Sequence, residues 1–346
     1  MVGRLTGQTE TEVQAQFLIG ADGARSGVRE ALGINRSGRG TIGAPNVNVY
    51  FQADLASIVR GREFNLCQIE HPDAPGGLAS VDGRRRWVFM SPGGDPRRDW
   101  PALLRTALGV PAPDLKILSV LPWQAEMLVA DRYSAGRVHL AGDAAHVMPP
   151  FAASGANTGI ADVHNLAWKL AAVLRGQASP ALLDSYDAER RPAGWFAADQ
   201  SARRTDTFRL GTPDPTLAHP FVLAAGGFQY TAGALVPDGS REPVTDYAPT
   251  GRVGTRVPHR WLDPHRTHST LDLAGPDWAI LTGDRADHLT TDFLAPEECL
   301  LIRPDDIVAW RGRSTTEAAR TRATLLTAST TAEAGAAPGP GDQNRI

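Results

Sequence analysis

A glycine–aspartate pair at the end of an apolar run is the feature of this sequence best suited to bind a ligand. The stretch HLAGDAAHVMPP, residues 139–150, passes from apolar residues into Gly142 and Asp143 and stops at two prolines. Gly142 lets a ligand approach the backbone closely, and Asp143 supplies a carboxylate that accepts hydrogen bonds from hydroxyl groups. Taken alone, the pair fits an Asx turn at an ordinary strand end equally well.

The loop after this pair leads to a helix predicted to begin at about Thr158. A helix N-terminus carries roughly half a positive charge and N–H groups without partners, so it favours an anionic atom. The strand, the acid, the proline-containing loop and the helix end together predict a cradle for a flat ligand that has several hydroxyls and accepts electrons. A flavin has these properties.

The elements that must position these residues follow from the periodicity. VQAQFLIG, residues 13–20, predicts a strand, and ADGARSGVREALGI predicts a turn and a short helix. From about 45 to 128, apolar and polar residues alternate between glycines and prolines, which predicts a mostly antiparallel sheet with one covered face. One helix, DWPALLRTALG, interrupts that sheet, and RVHLAGDA returns to a buried strand.

Two helices are predicted next. The first has apolar residues at helical spacing and ends near Gly176; its apolar positions are Ile160, Val163, Leu166, Ala167, Leu170, Val173 and Leu174. The second opens with Ser179 as N-cap and Pro180 at its first position, and Pro192 is expected to kink or break it. Residues 205–260 predict a long irregular connection, and a hairpin is predicted around Pro304, Asp305 and Asp306.

Composition excludes several classes of function. The 346 residues suit about two domains, and the formal net charge of -3 gives no footprint for nucleic acid or a membrane surface. No window approaches the ~18 apolar residues of a membrane span, and the polar N-terminus lacks a signal core. Cys67 and Cys299 form no CxxC pair. We therefore expect a soluble, cytoplasmic protein with reduced thiols.

The stretches that carry chemistry resemble the motifs of one enzyme family. GRVHLAGDAAHVMPP followed by SGANTGIADVHNLAWKL resembles the second flavin motif of the class A flavoprotein aromatic hydroxylases, the phenol and polyketide hydroxylase group. FLIGADGARSGVR resembles the Asp-Gly motif of that family. GRVGTRVPHRWL, STLDLAGPDWAILTG and LLIRPDDIVAWR resemble the thioredoxin-like C-terminal domain of its larger members. The resemblance spans nearly the whole chain.

The resemblance implies a fold of the α/β and α+β classes. It combines a partial FAD-binding domain of the glutathione-reductase type with an inserted antiparallel substrate sheet and a C-terminal thioredoxin-like domain. The expected units are a partial FAD-binding domain (1–40), a substrate-binding sheet domain (41–128), the continued FAD-binding domain with long helices (129–205), a linker (206–250), the thioredoxin-like domain (251–327) and a disordered tail (328–346).

The resemblance also implies FAD as cofactor and NAD(P)H as co-substrate. In the family, the residue at the position of Asp143 binds a ribityl hydroxyl, the Pro150 carbonyl lies over the flavin ring, and the amides of Ala156 and Asn157 face its pyrimidine end. The implied cofactor-binding residues are Asp22, Gly23, Gly142, Asp143, Pro150, Gly155, Ala156 and Asn157. The charges agree, because reduced flavin is negative near N1 and O2 and a helix N-terminus stabilises that charge.

The implied activity is hydroxylation of a phenolic or polyketide ring with NAD(P)H and O2, through a C4a-hydroperoxyflavin. The small aromatic substrate would lie between the flavin and the sheet of residues 45–128. No catalytic side chain is named, since the cofactor carries the chemistry. Larger relatives often place the C-terminal domain near subunit contacts, so a homodimer is one expectation for an oligomeric state that the sequence leaves open.

The sequence departs from the family in two places. The loop reads FAASGAN, with alanines where many members have glycines. In addition, only 16 residues precede Phe17, whereas a βαβ unit with its GxGxxG turn needs roughly 30. The single GxGxxG, GRGTIG at Gly38 to Gly43, is interpreted as a coincidence in a glycine-rich loop. We therefore expect a family member without its N-terminal dinucleotide-binding segment, and a fragment, a truncated gene model and a shortened protein fit equally well.

Other residues are weaker candidates for a functional site. His259, Asp263, His265 and His268 suggest a metal site, but their spacing fits no standard zinc pattern and a solvated loop is the better interpretation. GRRRW, residues 83–87, predicts a hairpin turn with exposed arginines, with an NADPH-phosphate contact as the alternative. His146 is expected to pack beside the loop, with a ligand or base as the alternative. Core packing is expected for His164 and Trp168, and Cys299 has no resolving partner for redox chemistry.

Three functions compete. The first is the aromatic hydroxylase. The second is a non-catalytic remnant or partner subunit that cannot retain FAD, because the GxGxxG unit is missing. The third is another flavoenzyme of the same fold, such as a halogenase or a reductase; the WxWxIP stretch of halogenases is absent from the sequence. The resemblance favours the hydroxylase.

Overall fold

The computed structural model describes residues 2–4, 10–109, 114–151, 154–210, 213–224, 229–239, 249–273, 275–283 and 293–327. The strands are β1 (Val2–Arg4), β2 (Glu10–Glu12), β3 (Leu18–Gly20), β4 (Arg36–Gln52), β5 (Leu66–Ile69), β6 (Gly76–Ser80), β7 (Arg86–Pro92), β8 (Lys116–Ala130), β9 (Ser134–Ala135), β10 (Val138–Leu140), β11 (His146–Val147), β12 (Ala279–Thr282), β13 (Cys299–Ile302) and β14 (Val308–Gly312). The helices are α1 (Gly27–Ala31), α2 (Ala56–Val59), α3 (Trp100–Leu108), α4 (Ser154–Leu174), α5 (Asp184–Leu210), α6 (Pro220–Ala224) and α7 (Thr315–Thr327).

A small sheet holds the two strands that precede the predicted motifs. β10 lies between β3 and β9, and it pairs in parallel with β3, so that Leu140 lies opposite Gly20. The carboxyl ends of both strands therefore meet at one edge. The strand predicted over residues 13–20 is confined to Leu18–Gly20, because Val13 is 61% exposed and residues 14–16 are also exposed, which leaves no face to bury.

The predicted antiparallel sheet is confirmed, with the strand order β11-β8-β4-β7-β6-β5. Burial alternates along the second half of β4, where Val47, Val49 and Phe51 are fully buried and the residues between them are half-exposed. This buried face packs against Trp100 and Leu104 of α3. One face of the sheet is thus covered and the other is open, as the alternation predicts.

The caps of α3 lie at the two ends of the predicted helical stretch DWPALLRTALG. The Asp99 side chain accepts a hydrogen bond from the Ala102 N–H, and Gly109 ends the helix in the left-handed conformation with a φ of 66°. The glycine-rich stretch Gly38 to Gly43 lies inside β4, where the pairing with β8 shifts register between Gly38 and Gly40. The prediction of a loop there is wrong, because glycines let this part of the strand bulge while it stays paired.

The two long helices differ from expectation at their ends. α4 begins at Ser154, four residues before Thr158, because the small residues SGAN continue the helix. It ends as predicted, with Gly176 in the left-handed conformation at a φ of 69°. Ser179 caps a 3₁₀ turn that runs into α5, and α5 continues unbroken through Pro192 to Leu210. Its alanines Ala198 and Ala202 are fully buried, and this packing offsets the hydrogen bond that the proline removes.

The C-terminal part forms a separate small sheet. β13 lies between β12 and β14, all antiparallel, and α7 follows β14. The hairpin predicted around Pro304, Asp305 and Asp306 is confirmed by the pairing of β13 with β14. The irregular connection predicted for residues 205–260 instead holds the end of α5 and the short α6, and parts of it lie outside the described residues, as does the tail of residues 328–346. Within the described ranges, none of the helices has the length and apolar character needed to cross a bilayer.

Candidate functional site

A groove lies where β3 and β10 end side by side. The Ala141 N–H donates to the Gly20 carbonyl oxygen at 3.0 Å, which holds the two following segments together. The groove has a volume of about 340 Å³. Its lining comes from both strand ends and from α4, namely Ala21, Gly23, Ala141, Gly142, Asp143, Gly159 and Val163. Ligands of parallel-sheet proteins commonly bind outside the carboxyl ends of the strands, so this is the expected location for one.

Three glycines shape the groove. Gly23 and Gly142 have φ values of 82° and 62°, and a Cβ added at either would meet no atom within 4 Å. Both therefore adopt a conformation that L-residues disfavour and present bare backbone to open space. Gly159 has a different role, since a Cβ added at this position would lie 3.2 Å from the Gly142 Cα. Its lack of a side chain lets α4 pack directly against the Gly142 turn.

Asp143 carries the acceptor that the sequence predicts. It lies in a 3₁₀ turn, Gly142–Ala144, directly after β10, and it is exposed. Among the described residues, no hydrogen bond or ion pair engages its carboxylate. A charged, solvated acceptor at the mouth of a groove is available to hydroxyl donors of a ligand.

Gly155, Ala156 and Asn157 lie within the first turn of α4, and Pro150 is exposed in the loop before it. The Ser154 side chain closes the helix start by donating to the Phe151 carbonyl oxygen at 2.6 Å. The first turn of an α-helix leaves N–H groups without intrahelical partners. These four predicted residues precede Gly159 along the chain and lie outside the set that lines the groove itself.

Asp22 binds the first turn of α1, whose N-cap is Ser26, and does not line the groove. Its carboxylate accepts a hydrogen bond from the Val28 N–H at 3.1 Å. Burial raises the pKa of Asp22, but hydrogen bonds from Ser26 and from backbone N–H groups outweigh it and hold the pKa below its ordinary value. The two residues of the Asp-Gly motif therefore have different roles: Gly23 lines the groove, and Asp22 stabilises the start of the helix that follows.

Arg29 is a residue that the sequence reasoning missed. It is 3% exposed, and its guanidinium donates to the Ala144 carbonyl oxygen at 2.9 Å and to the Ala24 carbonyl oxygen at 3.1 Å. It thus joins α1 to the 3₁₀ turn that holds Asp143. Its presence in the quoted stretch FLIGADGARSGVR was the available signal.

Asp162 on α4 was also missed. It is fully buried, and its carboxylate accepts hydrogen bonds from the Gly142 N–H at 3.0 Å, from His146 Nε2 at 2.7 Å and from Arg190 Nε at 2.8 Å. Burial raises the pKa of Asp162, but the charges and hydrogen bonds of His146 and Arg190 hold it below its ordinary value. The packing of His146 beside the loop is as expected.

α4 buries only part of the face that its apolar spacing predicts, since Leu166 and Leu170 are buried but other predicted positions are exposed. Ile160 and Val163 are 64% and 45% exposed, whereas Asp162, Asn165 and Lys169 are buried. His164 is exposed, in contrast to its expected core packing, while Trp168 is buried as expected. α4 turns a polar face inward because charged side chains of other elements pair with it there.

Those partners form a buried ion network with the C-terminal part. Glu189 on α5 accepts from Lys169 Nζ at 2.7 Å and from two nitrogens of Arg303 at 2.8 and 2.9 Å. Burial raises the pKa of Glu189, but the charges of Arg303 and Lys169 reverse this and lower it to about 2. Burial lowers the pKa of Lys169 to about 8 against the opposing effect of Glu189. Asn165 donates to Glu189 and to Asp305.

The remaining candidate residues lie outside the lining of this groove. Residues 83–85 of GRRRW lie in the connection between β6 and β7. Asp82, directly before them, accepts three backbone N–H bonds at 2.8–2.9 Å, which lower its pKa to about 2. In the 259–268 loop, Asp263 accepts hydrogen bonds from the backbone of Thr267 and His268. Across the described residues, no group of three or more His, Cys, Asp or Glu side chains is arranged to hold a metal ion.

Comparisons with known proteins agree on one family. The model of the FAD binding domain matches residues 2–201. The chain is 40% identical to a tetracenomycin A2 monooxygenase-dioxygenase of Streptomyces glaucescens, over 90% of this chain and 64% of that protein. It is 38% identical to an aklavinone 12-hydroxylase of Streptomyces peucetius, over 79% of this chain and 58% of that protein.

A solved structure gives the same answer. The ternary complex of aklavinone-11 hydroxylase with FAD and aklavinone aligns with a TM-score of 0.78 and 32% identity, over 92% of this chain and 68% of that one. The chain therefore spans only part of the length of these relatives. The matched domain, the identities and the shared fold show that this chain belongs to the FAD-binding class A monooxygenases, in the group of the polyketide hydroxylases.

Proposed function

We propose that the groove at the ends of β3 and β10 holds part of FAD. The bare backbone at Gly23 and Gly142 is the observation that carries this proposal, because a side chain at either position would fill space that a ligand can occupy. Asp143 would accept a hydroxyl of the ribityl chain, and the first turn of α4, with Gly155, Ala156 and Asn157, would face the negative edge of the ring. Pro150 would lie against the ring, and Asp22 would act through the placement of Gly23.

The activity that this site supports best is hydroxylation of an aromatic polyketide or phenol with NAD(P)H and O2. Bound FAD would supply the redox and oxygen-transfer chemistry. The chain itself would orient the cofactor through Asp143 and the α4 turn and would limit the access of water to the reacting face. The names of the relatives support this substrate class, since they include a tetracenomycin A2 monooxygenase-dioxygenase and two aklavinone hydroxylases.

The substrate would lie on the open face of the six-stranded sheet. That face carries side chains of mixed character that are half-exposed or exposed: Asn48, Tyr50, Met90, Leu121 and Trp123. The Trp123 indole N–H donates to the Asn48 side-chain oxygen at 2.7 Å, which fixes the ring against the sheet. Flat apolar surface beside a few oriented polar groups suits a fused aromatic ring system that bears hydroxyls and carbonyls.

The division into units is part of the same proposal. The units would be a partial FAD-binding domain in 1–40 and 129–205, a substrate sheet domain in 41–128, a linker in 206–250, a thioredoxin-like domain in 251–327 and a tail in 328–346. The order β13, β14, α7 supports the thioredoxin-like part, because it is an antiparallel hairpin followed by a helix that packs on it. Two copies of the chain would meet through this unit, where Trp261 and Ile280 are exposed.

Turnover with isotopically labelled dioxygen tests the function. The full chain, FAD, NADPH and a panel of hydroxylated polycyclic aromatics are incubated together, and the products are analysed by mass spectrometry. We expect one labelled oxygen atom in the product of at least one substrate and none when FAD is omitted. Binding of FAD without any labelled product would contradict the hydroxylase. A folded chain that binds no FAD would establish the non-catalytic alternative.

A further inference from the structure

The N–H of Gly142 points into the protein, and Asp162 receives it. The donor–acceptor distance is 3.0 Å, and it links the turn that presents Asp143 to a residue 20 positions away on α4. Gly142 is only half-buried, whereas the Asp162 side chain has no exposed surface. The carboxylate is thus a fixed point inside the molecule to which a turn at the surface is attached.

All three described partners of Asp162 are hydrogen-bond donors. One carboxylate oxygen, Oδ2, receives both the Gly142 N–H and His146 Nε2, and the other, Oδ1, receives Arg190 Nε. His146 is the residue that begins β11, and Arg190 lies on α5. An ionised carboxylate is the side chain of this size that accepts on both oxygens without donating, so an amide at the same position would set its own N–H against one of the donors.

The Gly142 turn requires such a stabilising hydrogen bond. Its left-handed backbone is accessible to glycine, but glycine also loses more conformational freedom on folding than any other residue. A second hydrogen bond comes from the Arg29 guanidinium, which donates to the Ala144 carbonyl oxygen at the end of the same turn. Asp162 therefore fixes the first residue of the turn and Arg29 the last, with Asp143 between them.

We propose that Asp162 is a positioning residue for cofactor binding, which holds the Gly142 amide and thereby sets the direction in which Asp143 presents its carboxylate to the groove. Asp162 itself does not touch the ligand. The part of this inference that concerns FAD rests on the proposed function, whereas the part that concerns the Gly142 turn does not.

Amide hydrogen exchange in the FAD-free chain tests the turn directly, and FAD titration tests its consequence. In D162N, we expect the Gly142 amide to exchange at least about tenfold faster than in the wild type, while the Val49 amide in the sheet core changes much less. The dissociation constant for FAD should rise about tenfold. Y230F is the control, because it removes a hydroxyl that Arg190 contacts and leaves the three Asp162 contacts in place.

The results separate the possible failures. Equal acceleration of the Gly142 and Val49 amides in D162N would show a role in global stability alone and would overturn the proposal. Unchanged Gly142 exchange would also overturn it. If the wild-type chain binds no FAD, the proposed function fails, while the exchange result still decides the role of Asp162 in the turn. If D162N does not fold, hydrogen exchange of the wild type tests the proposal. A Gly142 amide that exchanges as fast as the Asp143 amide would overturn it, because such an amide is not held by Asp162.

Discussion

At the scale of single residues, Asp143 combines exposure with the absence of any hydrogen bond to its carboxylate in the described part of the chain. Its removal should therefore cost the free protein little. We predict that D143A raises the FAD dissociation constant about tenfold or more, which is ~1.4 kcal/mol, because it deletes a charged acceptor for a ligand hydroxyl. Fluorescence titration of FAD measures the affinity, and thermal unfolding of the free chain checks its stability.

Glu70→Ala is the matched control for this prediction, since Glu70 is another exposed carboxylate and directly follows β5, an edge strand of the six-stranded sheet. E70A should bind FAD as the wild type does. Equal affinity of D143A and the wild type would show that Asp143 takes no part in binding.

Which single residues matter could be predicted only in part. Gly142 and Asp143 follow an apolar strand and were identified from their types and order. Asp162 could not be found in this way, because an acid between apolar residues of an amphipathic helix normally faces solvent. Two positions that the helical spacing selects instead, Ile160 and Val163, are exposed. The information that turns Asp162 inward lies in its partners Gly142, His146 and Arg190, which come from other parts of the chain.

At the scale of elements, α1 and the Gly142–Ala144 turn are joined by the guanidinium of Arg29. We predict that R29Q lowers the free energy of unfolding by about 2 kcal/mol, because a shorter, neutral side chain leaves a buried carbonyl oxygen without its donor. Urea denaturation measures the loss. FAD affinity should fall as well, since the turn that contains Asp143 loses one of the hydrogen bonds that hold it in place.

R36Q provides the comparison at this scale. Arg36 donates to the same Ala24 carbonyl oxygen at a longer distance of 3.4 Å, is only half-buried, and makes no hydrogen bond to Ala144 within the described residues. Its substitution should cost no more than about 0.5 kcal/mol. Equal losses for R29Q and R36Q would contradict a specific link between α1 and the turn.

The elements themselves were easier to predict than their ends. Alternation over residues 45–128 indicated the antiparallel sheet because one face is covered by α3 and the other is open. Gly176 indicates a helix end because it adopts the left-handed conformation. The start of α4 was placed four residues too late, since SGAN gives no apolar signal and the helix there is stabilised by its packing against Gly142.

At the scale of the whole molecule, the buried network around Glu189 joins α4 and α5 to the hairpin of β13 and β14. The pKa of Glu189 is about 2 in the folded chain and 4.5 in its ordinary state. A lowered acid pKa stabilises the folded state above pH 4.5, and this stabilisation is lost as the pH falls toward 2. We predict that the stability advantage of the wild type over E189Q is full at neutral pH and shrinks between these two values.

Urea denaturation of both proteins at neutral pH and at a pH between 2 and 4.5 measures this change. E298Q is the control, because Glu298 pairs with Arg311 in a partly exposed position within the C-terminal part and does not join it to α5. A pH-independent difference between the wild type and E189Q would contradict the role assigned to the network. The sequence alone could not predict this network, because Glu189 and Arg303 lie 114 positions apart.

The location of FAD in the groove is tested most directly by hydrogen exchange of the full chain with and without the cofactor. We predict that saturating FAD slows exchange in the segments 20–24, 141–146 and 154–160, which surround the groove, and leaves the hairpin of β13 and β14 unchanged. Saturable binding with protection elsewhere and none in these three segments would contradict the account.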